Sequence, residues 1–428
     1  MKTAILGNQA RAMSNFWSVL LRHAQARGHD VLCIIPVAAA HDDPVWEQKL
    51  AACGVRLVHY RLDRRGLNPL RDLLTLLDLR RIFKGEKPDA LFACAVKPVI
   101  YGAFAAALAG FPRKSGRSFM ITGLGYMFEG DTPAKRALTH LARLLYRCAF
   151  TAAGRVFFQN ADDRARFEEL GILPSPRAAG GRRPGRTTPA DAGPPPDSAE
   201  RKPDTPSPAV LMCKGTGVDT GHFAFRPPCD GPPVFLYVGR LVAAKGLREF
   251  MEAARLTRET YPEAAFRVVG PPEPGPGGVP LKEVLAAQDA GHIEYLGEQP
   301  DVRPYLEQAR AVLLPSYREG VPVSLMEALS VGRAVIAADA PGSREVAVDG
   351  LTGFLVPPGD ARALADAAAR LIRDPELAAR MGRDGRALME TDYDARVTAD
   401  YLLDVIEARG YCRNPHTVPS ARRLNPGG

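Results

Sequence analysis

Two successive rounds of one alternation constrain this chain most: short β-rich apolar runs, each followed by a stretch of helical periodicity. In the first round the runs fall at 3–6, 31–35, 56–60, 90–93, 118–122 and 155–159, with helical stretches such as 15–27, 68–83 and 133–150 between them. The second round places strands at 234–238, 266–269, 293–296, 311–314, 334–337 and 353–356, and helices at 242–261, 302–309, 323–330 and 361–373. Strands that are apolar on both faces and joined by helices belong to parallel sheets covered on each side. At 428 residues the chain is also too long for one core. The pattern predicts an α/β protein of two doubly wound units. Ligands of such sheets sit beyond the C-terminal strand ends, here in a cleft between the units.

Residues 173–209 separate the two rounds and hold 10 Pro and 4 Gly in 37 positions, with almost no large apolar side chain. Such a segment cannot bury enough apolar surface to offset the entropy of ordering it. The expected organisation is a first domain over 1–172, a disordered linker over 173–209 and a second domain over 210–390. A helix over 391–410 that packs back on the first domain, and a loose tail over 411–428, complete it. The opening MKTAILGNQ has no signal-peptide core, and no apolar run reaches the roughly 18 residues of a spanning helix, so a cytoplasmic protein is expected. Seven scattered cysteines without a C-x-x-C pair point to neither a disulfide framework nor a zinc site.

Charge is unevenly spread. Residues 1–172 carry 25 Lys and Arg against 15 Asp and Glu, whereas residues 209–428 carry 25 against 29. The basic half should meet the more anionic partner. No stacking-aromatic motif of an RNA-binding module accompanies it, so an anionic membrane is favoured and nucleic acid is not expected. In PAKRALTHLARLLYRCAF (133–150), Leu138, Leu141, Leu144 and Leu145 fall near one face, with Lys135, Arg136, Arg143 and Arg147 elsewhere. A helix of this kind either lies on anionic lipid or packs on the core with a solvated basic face.

Two segments carry candidate chemistry. In FLYVGRLVAAKG (235–246) a buried strand leads to Gly239, where backbone can approach a ligand, and to Arg240 and Lys245, two positive charges beside a strand end. That is a plausible composition for a diphosphate clamp, and equally for an ordinary βα loop. In SYREGVPVSLMEAL (316–329), Pro322 suits the first turn of a helix. Glu319 then lies in the preceding loop and Glu327 inside the helix. Amides near Gly320 and Val321 would meet an anion at the helix N-terminus. Carboxylates suit sugar and ribose hydroxyls because each accepts several hydrogen bonds. The plain alternative is a capping Glu319 and a solvated Glu327, but Met326, Ala328 and Leu329 beside Glu327 are apolar.

The order GR…KG, YLG (295–297), EGVPVSLME, PGSREVAVDGLTGFLVP (341–357) resembles the retaining glycosyltransferases of family four. KPDALFACAVKPVIYG (87–102) and SFMITGLGYMFEG (118–130) look like the branch that builds capsule, O-antigen and lipid-linked oligosaccharides. VLMCKGTGVDTGHF (210–223) is similar to the strand and turn that open the donor domain there. The resemblance covers nearly the whole chain except 173–209, where the family has a short connection, and the tail. It implies a GT-B fold, two Rossmann-like domains facing a central cleft. It also implies that Arg240 and Lys245 hold the donor diphosphate and help it leave, with Gly239 and the Gly320–Val321 backbone completing the phosphate site. Glu319 would face the transferred sugar and Glu327 the ribose. Gly7 and Asn8 would border the acceptor side, and Lys97, Gly123 and Gly125 would face the cleft.

The expectation is therefore a metal-independent transferase that needs no cofactor. It would move a hexose or N-acetylhexosamine from a nucleotide-diphosphate sugar, UDP favoured, to a lipid-linked or polysaccharide acceptor at the inner membrane face. The only D-x-D, Asp392-Tyr393-Asp394, follows polar helical sequence and reads as a turn, and His29 reads as a loop residue before a strand. Rivals are a sugar-nucleotide 2-epimerase on the same plan and a non-catalytic membrane-bound scaffold.

Overall fold

The computed structural model describes residues 1–37, 44–64, 66, 68–111, 116–123, 133–173, 208–228, 230–275 and 277–407. The expected linker (apart from its two ends), the tail and Gly125 lie outside these residues. The first unit runs β1 (Lys2–Leu6), α1 (Ala10–Ala26), β2 (Asp30–Pro36), α2 (Val45–Ala51), β3 (Arg56–Tyr60), α3 (Pro69–Glu86), β4 (Ala90–Cys94), α4 (Val96–Leu108), β5 (Arg117–Ile121), α5 (Pro133–Thr151), β6 (Arg155–Phe158), α6 (Ala161–Glu169) and β7 (Ala209–Met212). Its strands form one parallel sheet in the order β3-β2-β1-β4-β5-β6-β7. The order reverses between β1 and β4.

Placing β7 in this sheet corrects the expected boundary at 210. Ala209 pairs with Arg155 and Met212 with Phe158. Val210 and Met212 pack against one core cluster of the first unit and Leu211 against another. The strand after the Pro-rich segment thus closes the first sheet and does not open the second. Val218 is the first residue to enter the second unit's core.

The second unit runs β8 (Val234–Val238), α7 (Leu247–Thr260), β9 (Ala265–Val269), α8 (Leu281–Asp289), β10 (Glu294–Tyr295), α9 (Arg303–Gln308), β11 (Ala311–Leu314), α10 (Val323–Val331), β12 (Ala334–Ala338), β13 (Gly353–Val356), α11 (Ala361–Arg373) and α12 (Pro375–Asp392). Its parallel sheet has the order β10-β9-β8-β11-β12-β13, reversing between β8 and β11. The stretch expected as one helix over 242–261 divides at Gly246. A short 3₁₀ turn, Ala243–Lys245, precedes α7, and Gly246 adopts φ +71. A Cβ there would lie 2.2 Å from the Pro315 carbonyl oxygen, so only glycine lets this turn press onto the end of β11.

The final helix, α13 (Ala395–Ile406), packs on α1 of the first unit. Ala399, Tyr401, Leu402, Leu403 and Ile406 join a core with Trp17, Leu20, Leu21 and Phe157. Arg27 pairs with Asp400 at 2.8 Å and Asp404 at 2.6 Å. His29 stands in the loop just before β2, as expected, yet it is buried, with Nδ1 3.0 Å from the Thr3 hydroxyl and Nε2 2.9 Å from Glu407. Asp392 ends α12 and accepts from Lys214 at 3.0 Å, while Asp394 caps α13 through the Arg396 amide. Both carboxylates of the D-x-D are thus structural.

Candidate active site

The strand order reverses between β1 and β4 in the first sheet and between β8 and β11 in the second, and loops that follow these strands come together. From the first unit come Asn8 after β1, Ala95 to Pro98 after β4, and Thr122 and Gly123 after β5. With Arg64 and, from the second unit, Arg240, they line a cavity of about 340 Å³. Ala95 has φ 74 and ψ 160, a conformation that non-glycine residues adopt only under constraint. It turns β4 directly into α4 at the cavity wall. A depression of similar size beside α3, lined by His59, Asp78 and Glu86 among others, lies away from both reversal points.

On the second unit, β8 and β11 deliver the chemically active side chains. Lys245 Nζ lies 2.5 Å from Glu319 Oε1, which also accepts from the Ser316 hydroxyl at 2.9 Å. The Lys245 stem runs against Gly239, where a Cβ would sit 3.2 Å from its Cδ. Arg240 is 55% exposed and pairs with Glu273 at 3.1 Å. Its carbonyl accepts from the buried Tyr237 hydroxyl at 2.9 Å, which holds the loop in place. The two cations are therefore near one another in sequence but are held by different carboxylates. Beyond Glu319, α10 starts at Val323 behind Pro322 with no side-chain cap. Among the described residues, no protein group accepts from the Gly320 or Val321 amide. Pro322 has no N–H and the Leu325 amide donates to the Pro322 carbonyl at 3.2 Å, so the amides left open to an anion among the described residues are those of Gly320, Val321, Val323 and Ser324.

Glu327 lies in the second turn of α10, largely shielded, with no hydrogen bond or ion pair to its carboxylate among the described residues. Burial, and then the charge of Asp301, pushes its carboxyl up to about 8. An ionisable group kept buried without a partner is a liability for folding and marks a place where a ligand supplies the partner.

Asn8, Lys97 and Gly123 line the cavity, and three of the expected acceptor-side residues also have structural partners. Lys97 borders the cavity, but its ammonium donates to the Asp63 and Gly66 carbonyls at 2.7 Å each and to Asp72 at 2.8 Å. All three of its hydrogens are spent holding the loop after β3, not offered to a ligand. Gly7 serves packing: its carbonyl accepts from Tyr60 at 2.8 Å, and a Cβ would meet the Met13 sulfur. Gly123 touches the other unit, its Cβ direction pointing at the Gly320 nitrogen 3.6 Å away. Sequence reasoning missed Ser316, Glu273, Thr122 and Asn160. Ser316, three residues before Glu319, carried a local signal; the others come from distant segments. Among the described residues, no three His, Cys, Asp or Glu side chains gather as a metal-binding cluster.

The model for group 1 glycosyl transferases matches residues 222–388, and that for the glycosyl transferase 4-like domain matches residues 12–179. The chain is a two-domain glycosyltransferase of the family-four type. It is 23% identical over 420 residues, covering 95% of this chain and 98% of the other, to the N,N'-diacetylbacillosaminyl-diphospho-undecaprenol alpha-1,3-N-acetylgalactosaminyltransferase of Campylobacter jejuni. It is 30% identical to the amylovoran biosynthesis glycosyltransferase AmsK of Erwinia amylovora, over 44% of this chain and 47% of that one. Anabaena HepE, solved in complex with UDP-glucose, matches 95% of this chain and 100% of its own at TM-score 0.69 and 17% identity. Sucrose-phosphate synthase from Thermosynechococcus elongatus matches at TM-score 0.72 and 15% identity, over 96% and 99%. These likenesses establish the GT-B fold. These matches favour a glycosyltransferase over the epimerase and scaffold alternatives.

Proposed function

We propose that this glycosyltransferase moves a hexose or N-acetylhexosamine from a UDP-sugar to a lipid-linked saccharide, with retention at the anomeric carbon. The observation that carries the reading is the Lys245–Glu319 pair beside the uncapped start of α10, at the reversal point of the second sheet. Lys245, held by Glu319, and Arg240, held by Glu273, are the two cations on this unit that would meet the donor diphosphate. The bond from the anomeric carbon to the diphosphate oxygen breaks as the acceptor hydroxyl oxygen bonds to the same carbon on the same face. The hydroxyl proton passes to the departing phosphate oxygen, so no protein nucleophile is involved. Arg240, Lys245 and the Gly320 and Val321 amides meet the charge growing on the diphosphate, taking the place a divalent ion fills elsewhere. Glu319 faces the positive charge growing on the sugar, and Glu327 accepts hydrogen bonds from the ribose hydroxyls.

HepE, solved with UDP-glucose, supports the donor class, and the undecaprenol-linked substrate in the name of the Campylobacter relative supports a lipid-linked acceptor. A peripheral membrane position at the inner face follows from that acceptor and from the surface. No helix among the described residues is long and apolar enough to cross a membrane. On α3, however, Leu70, Leu73, Leu74 and Leu77 are all exposed, at the i, i+3, i+4, i+7 spacing of one face, with exposed Arg81 and Lys84 further along. On α5 the buried ridge is Ala142, Tyr146, Ala149 and Phe150, which leaves Leu141 and Leu144 exposed near Arg136 and Arg147. α4 packs against both helices on the same side of the sheet. Leucines flanked by cations fit an anionic lipid surface.

The deciding experiment incubates purified protein with each common UDP- and GDP-sugar and a lipid-diphosphate sugar, with EDTA present. Transfer from one UDP-sugar with the anomeric configuration kept is expected. Transfer that requires a divalent ion, or inversion at the anomeric carbon, refutes this mechanism.

A further inference from the structure

α6 begins at the seam between the two units, and its first residues grip the loop that carries Glu319. Asn160 and Asp163 are buried to 1% and 0% exposure. Asn160 Oδ1 accepts from the Asp163 amide at 2.7 Å, which caps α6. Its Nδ2 reaches across to the second unit, donating one hydrogen to the Gly320 carbonyl at 2.8 Å, while the other is shared between Asp163 Oδ2 at 3.1 Å and the Glu319 carbonyl at 3.3 Å. Arg318 pairs with Asp163 at 2.9 Å. The loop has no slack on its other sides. A Cβ on Gly320 would lie 2.4 Å from both the Thr122 carbonyl and Gln159 Oε1, and one on Gly342 would strike the Glu319 and Gly320 carbonyls. The Glu319 amide donates to the Pro341 carbonyl at 3.0 Å.

A trans peptide points its C=O and its N–H in opposite directions. The Glu319 carbonyl shares a peptide plane with the Gly320 N–H, and the Gly320 carbonyl shares one with the Val321 N–H. A side chain that draws both carbonyls toward the first unit therefore aims both N–H groups the other way. Neither N–H has a protein acceptor among the described residues.

We propose that Asn160 is a positioning residue: it reaches from the first domain to orient the Gly320 and Val321 amides of the second toward the donor's phosphate groups. This rests on the donor reading given above and adds to it that the phosphate site is complete only when the domains are in contact. A nucleoside diphosphate feels Asn160, and a nucleoside lacking phosphates does not.

The test uses the full-length protein and calorimetric titration with UDP and with uridine. Asn160→Ser keeps an oxygen able to cap α6 but is too short to reach the carbonyls. Asn160→Asp keeps the cap and replaces the donor by an acceptor. UDP binding should weaken by about tenfold in the Ser variant and more in the Asp variant, as for loss of hydrogen bonds to a charged group. Uridine binding should stay at the parent's value in both variants, while the melting temperature falls, most in the Asp variant, whose carboxylate would stand against that of Asp163. UDP binding unchanged in both variants, or UDP and uridine binding weakened alike, overturns the proposal and leaves the donor reading standing. A parent protein that binds no UDP overturns both.

Discussion

Replacing Glu327 by Gln should make this enzyme more stable at alkaline pH while impairing it. Burial, with Asp301 as the smaller cause, raises the Glu327 carboxyl from its ordinary 4.5 to about 8. The folded protein then holds this proton more tightly than the unfolded chain. Its contribution to stability is full below pH 4.5 and is lost as pH rises through about 8. Each pH unit in that window is worth about 1.4 kcal/mol, so about 3 kcal/mol is gone at pH 7 and about 5 kcal/mol above pH 8. Glutamine keeps the shape without the titration. The stability difference between Glu327→Gln and parent should therefore grow in the variant's favour by a few kcal/mol between pH 4.5 and pH 8.5. Calorimetric melting of both proteins across that range reads it directly. Donor binding should run the other way, because ribose hydroxyls donate to the ionised carboxylate. The parent's donor KM should fall as pH rises toward 8, and the variant's should stay high and flat. A stability difference that does not change with pH would refute the burial argument. A variant with the parent's donor KM throughout would remove Glu327 from the donor site.

Arg240→Ala and Lys245→Ala should each lower kcat/KM by about tenfold to a thousandfold, and non-additively, as expected for two cations serving one diphosphate. A double variant with parental steady-state kinetics sinks the clamp. Glu319→Gln should act mainly on kcat, since its contact strengthens as charge develops, with KM nearly unchanged; the reverse split misplaces the sugar. Leu73→Glu together with Leu77→Glu should abolish sedimentation with anionic vesicles at low salt while leaving soluble-donor binding intact. Equal sedimentation of variant and parent refutes the lipid face. Ala95→Gly should stabilise the first domain by about 1 kcal/mol in urea unfolding, by relieving its φ of 74; a loss would show that the conformation is not strained.

What could be read from the sequence was whatever neighbours in the chain decide. The strand runs, the Gly239-Arg240 loop and the Glu319–Glu327 segment are local patterns, and the structure puts them at the ends of β8 and β11. The family order of motifs then supplied roles that composition could not. The departures share one cause, pairing over distance. Nothing near 210 announces that β7 will complete the sheet begun at Lys2, because its partner β6 lies more than fifty residues earlier. Lys97 looks like a free cation until Asp63, Gly66 and Asp72 fold under it. Asn160 looks like an ordinary helix cap, and it is one. Its second function comes from Gly320, 160 residues away. In a two-domain enzyme the residues that join the domains are placed by the packing of both. Their chemistry is written in the sequence, but their address is written in the fold.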